Sequence, residues 1–421
     1  MTVLVAVDDP RGTALAAALE REGLVVVAVV PARALADAAA DDLHGHEAKR
    51  VSQALAGAET IVLQADRATL TAGAVSLCDR RGVRIVPLAG DPSDARVVET
   101  FGLAGPWPID IEPWRLVDAM AGAAAPPQAP APDSRHPRVV AVWGPAGAPG
   151  RTTLAIELAV ELARGGRHVG LIDADTHAPS MALQLGLADE GPGFAAACRQ
   201  AELGGLDARE LTRIAMPLGR ADVDVLTGIN RPSRWPELSD ARVTAALDAC
   251  RGWADYTVVD VAAPLERDEE IVSDLDGPRR NAATLAALRS ADLVVAVTAA
   301  DPVGISRFVR AHAELRATIG ATPVAVVANR LRPGTLGIDA RGQVRRTLDR
   351  FAGIHDVWFV PTDPRSTDAA ILASRPVAEV APKSPLTLAV RRFVGEAVAP
   401  VAAPVAATPR RGIRRPSSRA A

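Results

Sequence analysis

The sequence predicts an α/β protein: a doubly wound, mostly parallel sheet preceded by a smaller α/β unit. Three observations carry this. Short apolar runs alternate with helical patterns along most of the chain. The stretch "WGPAGAPGRTT", Trp143 to Thr153, places a glycine-rich loop between such a run and a helix. Carboxylates end later apolar runs at Asp173 and Asp260, the edge at which doubly wound sheets bind ligands.

Composition sets the organisation. The 421 residues are 48% hydrophobic and only 3% aromatic, so Ala, Val and Leu must fill the core. A net charge of −3 gives no global basic field. Residues 122–137, "GAAAPPQAPAPDSRHP", read as a stiff Pro/Ala linker. The expected units are therefore 1–121, the linker 122–137, a large domain 138–398 and a tail 399–421. The tail ends in five arginines with no acid, which predicts disorder and attraction to a membrane surface or to non-specific DNA. Cys78, Cys198 and Cys250 form no disulfide or metal pattern. No run approaches the roughly 20 apolar residues that span a bilayer. The expected location is cytoplasmic, with peripheral contact at the inner face of the membrane.

In the first unit "TVLVAV", "LVVVAVV", "TIVLQA" and "VRIVPLA" read as buried parallel strands. "GTALAAALEREG" and "AGAVSLCDRRG" read as helices closed by glycine. Asp8 and Asp9 follow the first strand, as in receiver domains. The place of a receiver's phosphoacceptor is taken by Gln64, with Asp66 two further on, and no lysine is at hand. A docking or dimerisation module without phosphotransfer is expected.

In the second unit the strands are "RVVAVW", "HVGLID", "DVDVLTG", "YTVVDV", "DLVVAVT", "PVAVVAN" and "VWFVP". After the first of these, Gly147 and Gly150 permit tight turning, so that successive N–H groups can converge on a phosphate. The helix beginning "TTLAIELAVELARGG" offers its N-terminus to the same anion. Thr152 can present a hydroxyl to Mg²⁺, and Arg151 supplies positive charge. The frame G-x-x-x-x-G-K-[ST] is broken by Pro145 and by Arg151. Asp173, Asp175 and Asp260 lie at matching strand ends, where an acid can hold Mg²⁺ through water.

The order "GPAGAPGRTT", "LIDAD", "TVVDVAAP", "VVANR", "VPTDPRSTDAA" resembles the ParA/MinD family of deviant-Walker P-loop ATPases over about residues 138–398. With a receiver-like first unit it looks most like the CpaE/TadZ branch, which positions pilus or secretion machinery. The resemblance implies a P-loop NTPase domain with ATP and Mg²⁺ as cofactors, and a homodimer formed on ATP. It also implies partners in a pilus, secretion or polar-localisation system. By the same resemblance Gly147, Ala148, Pro149, Gly150, Arg151, Thr152 and Thr153 wrap the phosphates. Thr152 and Asp260 hold the metal, with Asp173 beside them. Asp175 and Arg151 serve hydrolysis, Asn329 binds adenine and Pro361 flanks it. The family's additional lysine is replaced by Ala146, which predicts binding with slow turnover. Arg279 and Arg280 read either as a solvated helix start or as charge reaching across a dimer. Two rival functions are a partition ATPase on DNA and a scaffold without catalysis.

Overall fold

The computed structural model describes residues 1–121, 139–191, 193–219, 221–266, 279–332 and 339–400. The expected linker, the arginines of the tail and the segment 267–278 fall outside them. Two sheets form.

The first sheet contains β1 (Thr2–Ala6), β2 (Val25–Val30), β3 (Thr60–Gln64), β4 (Arg84–Ala89) and β5 (Trp107–Pro108), in the order β2-β1-β3-β4-β5. All its pairings are parallel. This is the flavodoxin-like strand order. The four longer strands are the apolar runs of the sequence. The two-residue β5 carries no such run and is not foreseen. At the sheet's C-terminal edge the Gln64 amide closes onto Asp8: Gln64 Oε1 accepts from the Asp8 N–H at 3.2 Å, and Gln64 Nε2 donates to Asp8 Oδ2 at 3.4 Å.

The second sheet contains β6 (Val139–Trp143), β7 (Val169–Asp173), β8 (Met216–Pro217), β9 (Val223–Leu226), β10 (Tyr256–Asp260), β11 (Leu293–Ala299), β12 (Val324–Leu331) and β13 (Val357–Pro361). Their order is β13-β12-β11-β6-β10-β7-β9-β8. Every pairing is parallel except that of β8 with β9, which is antiparallel. The predicted doubly wound, mostly parallel sheet is thus the observed one. β8 makes one antiparallel edge that the sequence does not announce.

Two apolar layers sandwich this sheet. One gathers Trp143, Phe194, Leu247 and Phe308, and the other Leu154, Leu158, Leu171 and Phe393. Small residues let the layers approach. At Gly170 a Cβ would run into the Trp253 ring. β6 lies centrally, between β10 and β11. The chain leaves β6 toward β7 on one side and later builds β11, β12 and β13 on the other. That reversal opens a crevice at the C-terminal end of β6.

The two bodies touch at the opposite end of the second sheet. Arg67 pairs with Asp224, and Arg96 with Asp222, both at the start of β9. Arg209 Nε donates to the Thr100 carbonyl at 2.8 Å. His168, just before β7, lies between the Trp253 carbonyl (Nδ1, 2.9 Å) and Asp224 (Nε2, 2.8 Å).

Candidate nucleotide site

The loop between β6 and the helix Arg151–Ala163 is shaped by glycines that cannot be replaced cheaply. Gly144 lies so close to the Val297 carbonyl that a Cβ would overlap it. Gly147 and Gly150 have φ of +79° and +82°, in the left-handed region that favours glycine. Gly150 is also the residue that precedes the helix. The loop is anchored from behind by Trp143, fully buried, whose indole N–H donates to the Ala263 carbonyl at 3.0 Å. Asn329 braces it laterally, with Nδ2 donating to the Pro149 carbonyl at 2.8 Å.

Inside this frame the sequence-chosen residues converge. Thr152 Oγ1 donates to Asp260 Oδ2 at 2.5 Å. Asp260 ends β10, in register with Asp173 at the end of β7. Its other oxygen, Oδ1, is buried with no hydrogen-bond partner. Burial, and then the charge of Asp173, push the Asp260 carboxyl well above the usual carboxylate range, while the Thr152 bond opposes the shift. Asp173 is raised to about 6, chiefly by burial. Its oxygens accept the N–H groups of Ser180 and Met181, each at 3.0 Å, and of Asp175 at 3.2 Å. Asp173 therefore fastens the 175–181 loop. Asp175 Oδ1 accepts from His177 N–H and Ala178 N–H at 2.8 and 2.9 Å.

Arg151 does not point freely into the crevice. Nη1 donates to the Gly144 carbonyl at 2.9 Å, and Nη2 stands 3.5 Å from Asp175 Oδ2. Pro361 closes β13 opposite Leu331, three strands from β6 at the same edge.

Two features escape a reading by motif, Glu157 and Arg307, and a third, Arg280, corrects the solvated helix start that the sequence allowed. Arg280 is neither solvated nor detached. Its Nη2 donates to the Thr176 carbonyl at 2.8 Å, and its guanidinium stacks on Trp235. Together with the contact between His177 and Asn281 at 3.0 Å, it ties the 279–281 segment to the Asp175 loop. Glu157, buried on the loop helix, accepts from the N–H groups of Val377 and Ala378 at 2.6 and 2.8 Å. Arg307 lies over the loop at Ala146. Only contact in space connects these residues to the motif.

The donor set fits Mg²⁺ in its nucleotide-bound form. That ion is held by one or two hard protein oxygens, the remainder coming from phosphates and water. Thr152 Oγ1 and the unpartnered Asp260 Oδ1 match. Among the described residues no cluster of three or more His, Cys, Asp or Glu side chains is placed to hold a metal on its own.

Comparison with known proteins agrees. Residues 136–207 match the model of a family described as "ParA: NUBPL iron-transfer P-loop NTPase". An iron-sulfur cluster carrier protein of Deinococcus radiodurans is 33% identical over 147 residues, which are 34% of this chain and 37% of that protein. The chain thus matches little more than a third of that relative. The antiactivator FleN of Pseudomonas aeruginosa is 26% identical over 262 residues, 61% of this chain and 85% of FleN. The solved structure of a ParA family ATPase from Chlorobium tepidum superposes with a TM-score of 0.51 at 17% identity, covering 62% of this chain and 98% of that one. The loop thus lies within a match to a ParA P-loop NTPase family model, and the chain shares the fold of a ParA family ATPase.

Proposed function

We propose that the protein is an ATP-binding switch of the ParA/MinD type that positions pilus or secretion machinery, hydrolyses ATP slowly and dimerises on it. The observation that carries the nucleotide reading is the pair of Thr152 and Asp260. A buried carboxylate bonded to the first threonine of a glycine-rich loop, with one oxygen left over, is costly unless a ligand uses it.

In this reading the backbone N–H groups from Gly147 to Thr153 take the phosphates at the helix N-terminus. Thr152 and Asp260 would hold Mg²⁺, which would supply charge that neutralises the phosphates. Asp175 orients the attacking water. Asn329, which also braces the Pro149 carbonyl, hydrogen-bonds the adenine and Pro361 flanks it. Arg151 must give up its contact with Asp175 before both groups can serve hydrolysis, which keeps turnover slow. The likeness to FleN and to the iron-sulfur carrier supports a switch or carrier built on this fold. The pilus assignment rests on the branch resemblance over the two units.

A second reading has one observation in its favour. The pair of Arg151 and Asp175 occupies both groups that hydrolysis needs, as in a scaffold that holds nucleotide without turning it over. Calorimetry with Mg-ATP, followed by a phosphate-release assay, decides among the outcomes. Binding with slow release supports the switch. Binding without release supports the scaffold. No binding at millimolar nucleotide removes both.

A further inference from the structure

The loop carries Ala146 where the resemblance implies a lysine, and a cation, Arg307, stands at that place. We propose that Arg307 is a phosphate-contacting residue of the nucleotide site, meeting the terminal phosphate of ATP at the outer rim of the loop. The proposal rests on the nucleotide reading above.

Arg307 is carried by the helix Pro302–Ile319, which follows β11. β11 pairs with β6, so this helix and the glycine loop leave the same edge of the sheet side by side. The start of the helix is rigidly held. Asp301 accepts from the Gly304 N–H at 2.8 Å. Gly304 packs so tightly on Ala299 that a Cβ would overlap it. Ile305 and Phe308, on either side of Arg307, are buried at 5% and 0% exposure. The backbone of Arg307 therefore has little freedom, and only its side chain reaches outward.

That side chain turns to the loop. Arg307 Nη1 donates to the Ala146 carbonyl at 3.4 Å. Its guanidinium covers Gly147 so closely that any side chain there would strike it. Among the described residues no carboxylate lies within ion-pair distance of Arg307. The bond to Ala146 is long, so most of the guanidinium's donors remain for another acceptor. Gly147 begins the run of N–H groups that would cradle an anion, at the end remote from the helix. An anion seated there would meet Arg307 from outside the loop. Arg151 approaches from within, held by Gly144 and Asp175. A planar guanidinium suits phosphate oxygens, which it can meet with two donors at once.

Calorimetry with Mg-ATP and Mg-ADP on the full chain, its Arg307→Ala variant and its Arg307→Lys variant tests this. Loss of a charge-assisted contact to the terminal phosphate lowers the ATP affinity of Arg307→Ala by about tenfold or more and leaves ADP within about twofold. Arg307→Lys keeps part of the ATP preference. Unchanged affinity for both nucleotides in Arg307→Ala overturns the proposal. So does an equal fall for both, which would make Arg307 a brace on the Ala146 carbonyl. A full-length wild-type chain that binds neither nucleotide overturns the nucleotide reading itself, and this proposal with it. Failure of the variant comparison alone leaves that reading standing.

Discussion

Arg151 bridges the first carbonyl of the loop and a carboxylate of the next strand's loop: Nη1 donates to Gly144 O at 2.9 Å while Nη2 lies 3.5 Å from Asp175 Oδ2. The planar fork of arginine can hold two acceptors at once; the compact ammonium of lysine is a single point charge on a shorter reach. With arginine, the loop's cation and the candidate water-orienting acid restrain each other.

Arg151→Lys should therefore release Asp175 and raise turnover. Charge placed on a transferring phosphoryl group is worth orders of magnitude in rate, so a gain of about tenfold or more is expected in single-turnover phosphate release. A rate equal to or below that of the wild type would contradict the restraint.

Thr152 and Asp175 should separate binding from chemistry. Thr152→Ala removes the hydroxyl on Asp260 and leaves a second oxygen of that buried carboxylate without a partner. Mg-ATP affinity should fall, and the apo protein should lose about 1–3 kcal/mol of stability. Asp175→Ala should abolish hydrolysis with nucleotide affinity largely kept. Calorimetry and phosphate release on both variants check this; equal effects of the two substitutions on binding would refute the division of roles.

Glu157 predicts a pH dependence of stability. Burial raises its folded pKa to about 7 from an ordinary 4.5, against the two N–H bonds from Val377 and Ala378. A carboxyl raised on folding contributes its full stability below its unfolded pKa and loses it as pH rises through the folded one. The loss between about pH 4.5 and 7 amounts to about 3 kcal/mol. Glu157→Gln, which carries no titrating proton, should gain on the wild type across this window. Denaturant midpoints at pH 4.5 and 8 give the comparison, and parallel curves would mean that Glu157 does not titrate there.

The edge of the first sheet should take no phosphate. Gln64 occupies the strand end where an acceptor would stand, and its amide is spent on Asp8. Intact mass after acetyl phosphate treatment should show no adduct. An adduct that vanishes in Asp66→Ala would place the acceptor at Asp66.

The chain announces its longer strands because strands buried on both faces must be continuously apolar; β2 departs from the buried strand expected, as an edge strand with Val25 and Val27 exposed. Strands of two residues, β5 and β8, have no room for such a signal. Strand order is invisible in the same way, since β6 reads like any other apolar run. Thr152, Asp173, Asp175 and Asp260 were legible because the backbone fixes their distance from a strand end. Glu157 was not: within "TTLAIELAVELA" it looks like one polar helix position among several, and its partners lie about 220 residues away. Arg280 and Arg307 have the same difficulty. A guanidinium's reach is long, and its destination depends on which helix packs beside which loop.

The contact of Arg67 with Asp224 has a steric consequence. β7, β9 and β10 begin just after His168, Asp222 and Asp255 and run toward Asp173, Leu226 and Asp260. The N-terminal body grips the foot of β9, while the heads of β7 and β10 carry Asp173 and Asp260, beside the glycine loop that follows β6. A five-residue strand is about 17 Å long. The rim around Gly147, Thr152 and Arg307 is therefore left clear of the N-terminal body, and a large visitor, even one the size of the chain itself, can approach it without that body being moved aside.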